Sequence, residues 1–389
     1  MRFKNSAAMF FLSIFMSAAF CQSNENNIKF FIKGNISEKI TALKNASGRE
    51  TAVLAVKTVD FILQNLEDTG FDDRDMNNLA ITGILALPAN IVNTDNTILT
   101  KLYKLFELSQ DSTIKIAVLE KIVLFQETKP SAESVNVLNN FLSESIEKKQ
   151  SGDVQKNAVI SLGKIGNGQS FSILYDCLQT ECFSPYSKEI LEALGNLADK
   201  SLSEILQILS STTIDRITEI FDLIKNNSKI SASFKAEIAE NILSEAINNT
   251  EENENPEVQK LEFDAFCIIV ESNWTRASSL INSYFMTSKA AFESSKMKDS
   301  QFVKIIEGVS QLATAEVSQV LTNYLTELNK QTEKGGKVSE TIILALVKSL
   351  GELGNKNAFD QLLLATYLDY PQTVIAEARI SLTKLKWEN

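Results

Sequence analysis

Apolar and polar residues alternate along this chain with the period of a helix. In "KNAVISLGKIGNGQSFSILYDCL" (156–178), Ala158, Leu162 and Ile165 fall at i, i+4 and i+7, one face of a helix. Gly166 stands where a left-handed residue would end that helix, and Asn167, Gly168 and Gln169 complete a short connection. Ser170 is placed to cap a second helix, whose Phe171, Leu174, Cys177 and Leu178 again share a face. Two amphipathic helices joined by so short a connection predict an antiparallel hairpin.

The same pattern returns. "SLGKIGNGQSFSILYDCL" (161–178) has a near double far down the chain, "SLGELGNKNAFDQLLLAT" (349–366), with Gly351 for Gly163, Gly354 for Gly166 and Phe359 for Phe171. Glycine inside a helix costs about 1 kcal/mol relative to alanine. Its recurrence on the apolar side therefore predicts a point where a neighbouring helix approaches closely. A phosphate loop would need GxxxxGK[ST] after a strand, which neither copy has. Shorter echoes surround both copies. In "EALGNLADKSLSEILQIL" (192–209), Leu194, Gly195 and Leu197 answer to Leu162, Gly163 and Ile165. "ARISLTKLK" (378–386) follows the second copy at the same spacing, with Ser381 and Leu382 answering to Ser349 and Leu350. Upstream, Ile122 and Phe125 correspond to Leu162 and Ile165, and Val309 and Leu312 to Leu350 and Leu353. Recurrence at intervals of roughly 30–40 residues is that of stacked helix pairs.

These residues carry a family resemblance. The pattern A-x-x-x-L-G-x-φ-G-(N/D), a short turn, then φ-x-x-L resembles the HEAT repeat in its short bacterial form, the phycobilisome-lyase-like repeat. It is clearest over 154–209 and 340–386. Asn167 and Asn355 stand where members usually carry Asp, and Ala198 replaces the second glycine in the 192–209 copy. The resemblance implies an all-α fold, a right-handed α-solenoid of stacked antiparallel helix pairs, generally a protein-binding scaffold. Its repeat-packing positions here would be Leu162, Gly163, Ile165, Gly166, Leu194 and Gly195, then Leu350, Gly351, Leu353 and Gly354. One branch of the family contains chromophore lyases and their subunits, so an enzyme or enzyme partner is the competing implication.

Elsewhere the pattern is less decisive. "IKFFIKG" (28–34) fits a strand or the start of a helix; Ser37 is placed to cap "EKITALKNAS"; and "ETAVLAVKTVDFILQNL" (50–66) is an amphipathic helix. "EDTGFDDRD" (67–75) lacks the EF-hand spacing and reads as an interhelical loop. Polar breaks at 147–153, 248–257 and 331–337 read as irregular loops within one solenoid spanning 37–389. Over 274–299 the period lapses. Trp274, Tyr284 and Phe285 read there as core filling at an irregular junction, with partner recognition as the competing role.

Composition supports many helices with short connections: 14 Gly and 5 Pro in 389 residues, with 44% hydrophobic. The first residues predict export. Arg2 and Lys4 precede an apolar run from Ala7 to Phe20, too short to span a bilayer, and Ala19-Phe20-Cys21 fits a cleavage site. Residues 1–21 are thus expected to be a signal peptide and 22–36 a polar leader, giving a periplasmic protein; lipidation at Cys21 is the alternative. Usage rich in Asn, Lys and Ile suits an AT-rich bacterial genome.

Without residues 1–21 the chain carries 36 Lys and Arg against 49 Asp and Glu, a net of −13. That balance disfavours nucleic acid and anionic lipid. Three cysteines would remain, which is no disulfide framework, and a Cys177–Cys182 bond would require a helix to end between them. The absence of histidine removes Ser-His-Asp and Cys-His catalysis and the usual zinc sites. No catalytic residue, cofactor or metal ligand is nominated. The expected function is a non-catalytic scaffold of the cell envelope that binds another protein. A lipid- or glycan-binding envelope protein is the third alternative.

Overall fold

A computed structural model describes residues 27–69, 73–93, 95–126, 130–211, 213–248 and 255–386. The expected signal peptide, its cleavage site and Cys21 lie outside those residues. Among them are twenty α-helices and no strand; the only ladder pairing there is an isolated parallel bridge between Asn355 and Lys386. The all-α expectation holds. By internal contacts the chain divides into two compact units between Ile205 and Leu206.

The first unit opens with α1 (27–33), which resolves the ambiguity of "IKFFIKG" in favour of a helix. Then follow α2 (Ile36–Asn45), α3 (Arg49–Thr69), α4 (Arg74–Ala86), α5 (Ile98–Leu108) and α6 (Ser112–Gln126). The unit continues through α7 (Ala132–Glu147), α8 (Asp153–Ile165), α9 (Gly168–Gln179) and α10 (Ser187–Leu197). Helix α11 (Leu202–Leu209) straddles the division. Within the unit each helix packs on the helix two places on: α2, α4, α6, α8 and α10 form one layer, and α3, α5, α7 and α9 the other. Consecutive helices cross from layer to layer, so the repeating element is a helix pair stacked on its copy.

The second unit repeats the scheme. Its even layer holds α12 (Ile214–Asn226), α14 (Pro256–Glu271), α16 (Asp299–Gln311), α18 (Glu340–Leu353) and α20 (Gln372–Lys384). Its odd layer holds α13 (Ala232–Asn248), α15 (Ser278–Glu293), α17 (Ala315–Glu333) and α19 (Phe359–Ala365). The core lies between the layers. It is lined by fully buried side chains such as Ile62, Leu79, Phe171 and Phe183 in the first unit and Phe221, Phe266, Phe285 and Phe302 in the second. Each such burial stabilises by about 1.5–3 kcal/mol.

Polar contacts recur at the interval of the repeat. Lys225 meets Asp264 at 2.8 Å, Arg276 meets Glu240 at 2.7 Å, and Thr373 donates to Glu340 at 2.6 Å. Each is worth little alone at the surface, but each forms only in one register of neighbouring repeats. Lysines also close helix ends. Lys39 Nζ donates to Phe31 O of α1 at 2.5 Å, Lys121 Nζ to Leu87 O after α4 at 2.8 Å, and Lys235 Nζ to Lys225 O of α12 at 2.8 Å. A cation suits the negative end of a helix dipole. Burial draws the Lys39 and Lys121 ammonium pKa values below the usual range.

Two capping expectations need correction. Ser37 lies inside α2; its N-cap is Asn35, whose side chain accepts from Glu38 N while the Glu38 carboxylate accepts from Asn35 N. Ser170 likewise lies inside α9. Asn167 is the cap and Ser170 its partner in the box, because the asparagine already has the extended backbone a cap needs. The breaks at 147–153 and 331–337 fall where α7 gives way to α8 and α17 to α18, and most of the break at 248–257 lies outside the described residues.

Candidate interaction surfaces

Of the expected repeat-packing residues, Gly163 and Gly351 lie against the next helix of their layer. A Cβ on Gly163 would sit 2.8 Å from Ala193 Cα, and one on Gly351 would sit 2.8 Å from Ser381 Cα. Glycine therefore sets the close approach of α8 to α10 and of α18 to α20, at matching points of the two copies. Leu162, Ile165, Leu194 and Leu350 are buried, as are Gly195, Gly166 and Gly354; Leu353 is only half-buried. Gly354 takes the left-handed backbone expected of a helix end (φ +65°). Gly166 does not: it is extended (φ −69°), and glycine is needed there because a Cβ would meet Leu162 O at 2.5 Å and Ser170 Cβ at 2.9 Å.

Cys177, Cys182 and Cys267 are free thiols. Helix α9 ends at Gln179, between the first two. Burial pushes the Cys177 thiol up to about 12 and the Cys267 thiol up to about 11, leaving little thiolate for nucleophilic chemistry near neutral pH. Tyr284 and Phe285 are core residues; Phe285 stacks on Phe302 at 5.7 Å and meets Tyr324 edge-on at 6.0 Å. Trp274 is half-buried, donates from Nε1 to Glu240 at 2.7 Å and lies under the Arg276 guanidinium at 4.7 Å. All three serve packing between repeats. Among the described residues no group of three or more Cys, Asp and Glu is placed to hold a metal ion. No helix there is long and apolar enough to cross a membrane.

Two cavities of similar size differ in chemistry. One, about 610 Å³, lies in the first unit where α5, α6, α7 and the start of α8 meet. Lys115 stands in it between the rings of Phe106 and Phe141, 5.2 and 5.7 Å from their centroids, and burial lowers its ammonium pKa. Glu107, Asn140, Glu144 and Gln155 make the remaining wall polar.

The other, about 630 Å³, lies in the second unit between the last turn of α11, the first two turns of α12, and helices α13 and α14. Leu206, Ile214 and Ile217 form its half-exposed walls, and Ile242, Val258 and Leu261 its buried floor. Glu245 stands exposed at its rim. A smaller depression of about 240 Å³ shares Leu261 and carries Asp215, Asp222, Glu257 and Asp264 beside Lys260.

Sequence reasoning missed both cavities. The apolar spacing of "IDRITEIFDLI" (214–224) marks α12 as amphipathic, but no local rule says how much of its stripe a neighbour will cover. No family model matches the chain, and no curated protein matches it.

Proposed function

We propose that this chain is a non-catalytic scaffold of the bacterial cell envelope that binds another protein along its stacked helix pairs. The observation that carries the reading is the two-layer stack in each unit, in which every layer presents one helix per repeat along an extended face. Such a surface suits partners too large for a pocket. The spacing of Gly163 and Gly351 against Ala193 and Ser381 supports kinship with the short HEAT repeat, whose members generally act this way. The absence of histidine and the raised thiol pKa values support a role without catalysis.

The test is photo-crosslinking in the native cell, with the reactive residue placed in turn on exposed positions of the even and odd layers of both units. One partner recovered from several positions of the same layer is the expected result. Recovery of only abundant bystander proteins, equally from all positions, would overturn the scaffold reading. Export is tested separately by fractionation and N-terminal mass spectrometry. A mature chain beginning at Gln22 in the periplasmic fraction is expected, and a chain retaining Met1 in the cytoplasm would end that part of the proposal.

A further inference from the structure

We infer that the apolar groove of the second unit, with Glu245 at its rim and Asp215 and Glu257 in the depression beside it, docks a basic amphipathic helix of a partner protein. The inference rests on the scaffold reading and assigns that reading a place and a partner chemistry.

The argument begins with α12. Its apolar stripe runs through Ile214, Ile217, Ile220, Phe221 and Ile224. The C-terminal half is sealed, with Ile220, Phe221 and Ile224 at most 4% exposed. The N-terminal half is not: Ile214 and Ile217 stay half-exposed and face Leu206 across the groove. A stripe that its own fold covers only in part leaves apolar area available to something else. The groove volume, about 630 Å³, falls in the range of clefts that bind ligands. Its walls come from four helices, α11 to α14, and such a groove suits a helix laying down anchors at i, i+3 or i+4, and i+7.

Charge selects the kind of helix. Asp215, Glu245 and Glu257 border the groove or the adjoining depression and form no salt bridge among the described residues. Asp222 and Asp264 are already held by Lys225, at 2.8 Å each. A neutral or acidic partner would bury or crowd the three unpaired carboxylates, which is costly; lysines or arginines flanking an apolar stripe would pair with them. A second copy of this chain, at net charge −11, is opposed by the same carboxylates.

The test uses the full chain and two labelled helical peptides of about 18 residues, roughly five turns. Both carry one leucine stripe, with lysine on the flanks of one and glutamate on the flanks of the other. Fluorescence anisotropy should show saturable binding of the lysine peptide, weakened as salt rises above about 0.1 M, where the screening length falls below about 10 Å. Binding should weaken about tenfold or more in the surface variant Asp215→Lys/Glu257→Lys and also in Ile217→Gln. Should Ile217→Gln prove unfolded by circular dichroism, the charge-reversal variant decides by itself.

Equal affinity for the two peptides, affinity unchanged by charge reversal, or self-association of the chain through Ile217 would each overturn the inference. Crosslinks to one partner at other positions, with no discrimination between peptides, would sink this inference and leave the scaffold reading standing. Loss of every specific crosslink while the lysine peptide still binds in the groove would sink the scaffold reading alone.

Discussion

The hairpins α8–α9 and α18–α19 are written in nearly the same letters, yet their shared glycines answer to different demands. Gly163 and Gly351 do the same thing in both, admitting Ala193 and Ser381 of the next helix in the layer. Gly166 and Gly354 do not. Gly354 supplies a left-handed turn, after which Asn355 caps a short 3-10 turn (Lys356–Ala358) before α19, and Gly354 O accepts from Lys386 N at 2.8 Å. Gly166 stays extended and hands over directly to Asn167, which caps α9. The packing that follows differs accordingly. Ile165 and Phe171 are buried, whereas Leu353 and Phe359 are half-buried. One repeat letter can therefore be kept by two unrelated constraints, and only the first of the two glycine positions keeps one packing role in both hairpins.

The contrast extends to buried polar groups. Asn139 of α7 and Asn329 of α17 are 1% and 0% exposed. Asn329 is satisfied: it donates to Gln361 O and Oε1 at 3.0 and 3.1 Å and accepts from Tyr370 OH at 3.1 Å. Asn139 has no partner on either side-chain atom among the described residues. Buried charge is handled differently too. In the first unit Lys121 reaches the carbonyl of Leu87, while in the second Glu262 is buried, and burial pushes its carboxyl up to about 7.

The largest effect is expected where the copies agree. Gly163→Leu and Gly351→Leu should each lower the unfolding free energy by about 3 kcal/mol, because backbone lies where the new side chain must go. Urea denaturation measures this, and a loss confined to one variant would break the equivalence of the two hairpins. The asparagines come next and should move in opposite directions. Asn329→Leu should cost about 2 kcal/mol by removing the acceptor of Tyr370 OH and the donor to Gln361, whereas Asn139→Leu should gain about 1 kcal/mol by removing an unsatisfied amide. Parallel shifts in melting temperature would refute that contrast.

Glu262→Gln sharpens the comparison of buried charge. The folded pKa of Glu262, about 7, lies above its ordinary value of 4.5, so the native chain holds a proton that the unfolded chain releases between those values. Its contribution is fully present below the unfolded value and is lost as pH rises through the folded one. The Gln variant should therefore match the parent at pH 4 and exceed it by up to about 3 kcal/mol at pH 8, less where solvent screens the carboxylate; a gain that does not vary with pH would dismiss this account. The smallest effect separates the turn glycines. Gly354→Ala should cost about 1 kcal/mol and Gly354→Asn much less, since asparagine tolerates the left-handed region. Gly166→Asn should recover nothing over Gly166→Ala, because crowding by Leu162 O and Ser170 is indifferent to that preference. Equal rescue at both sites would show that the two ends share one constraint after all.

The amino-acid order by itself determined the helices, the interval at which they recur and the point where neighbours touch. Those features depend on local terms: an apolar period matching the helical turn, and a side chain reduced to hydrogen on a buried face, as at Gly163 and Gly351. It also placed Tyr284 and Phe285 in the core, because aromatics of that size are seldom left in water.

Tertiary structure alone decided which backbone Gly166 would take, that Asn35 and Asn167 rather than Ser37 and Ser170 would cap, and that the chain divides near Ile205. It alone left Ile214 and Ile217 half uncovered beside acids that lack partners. The physical reason is the same in each case. Glycine, asparagine and a short apolar stripe are each compatible with several local states of similar energy, and the choice among them falls to the contacts the fold supplies: Leu162 O and Ser170 at Gly166, Glu38 and Ser170 at the two capping asparagines, and α11, α13 and α14 beside Ile214 and Ile217.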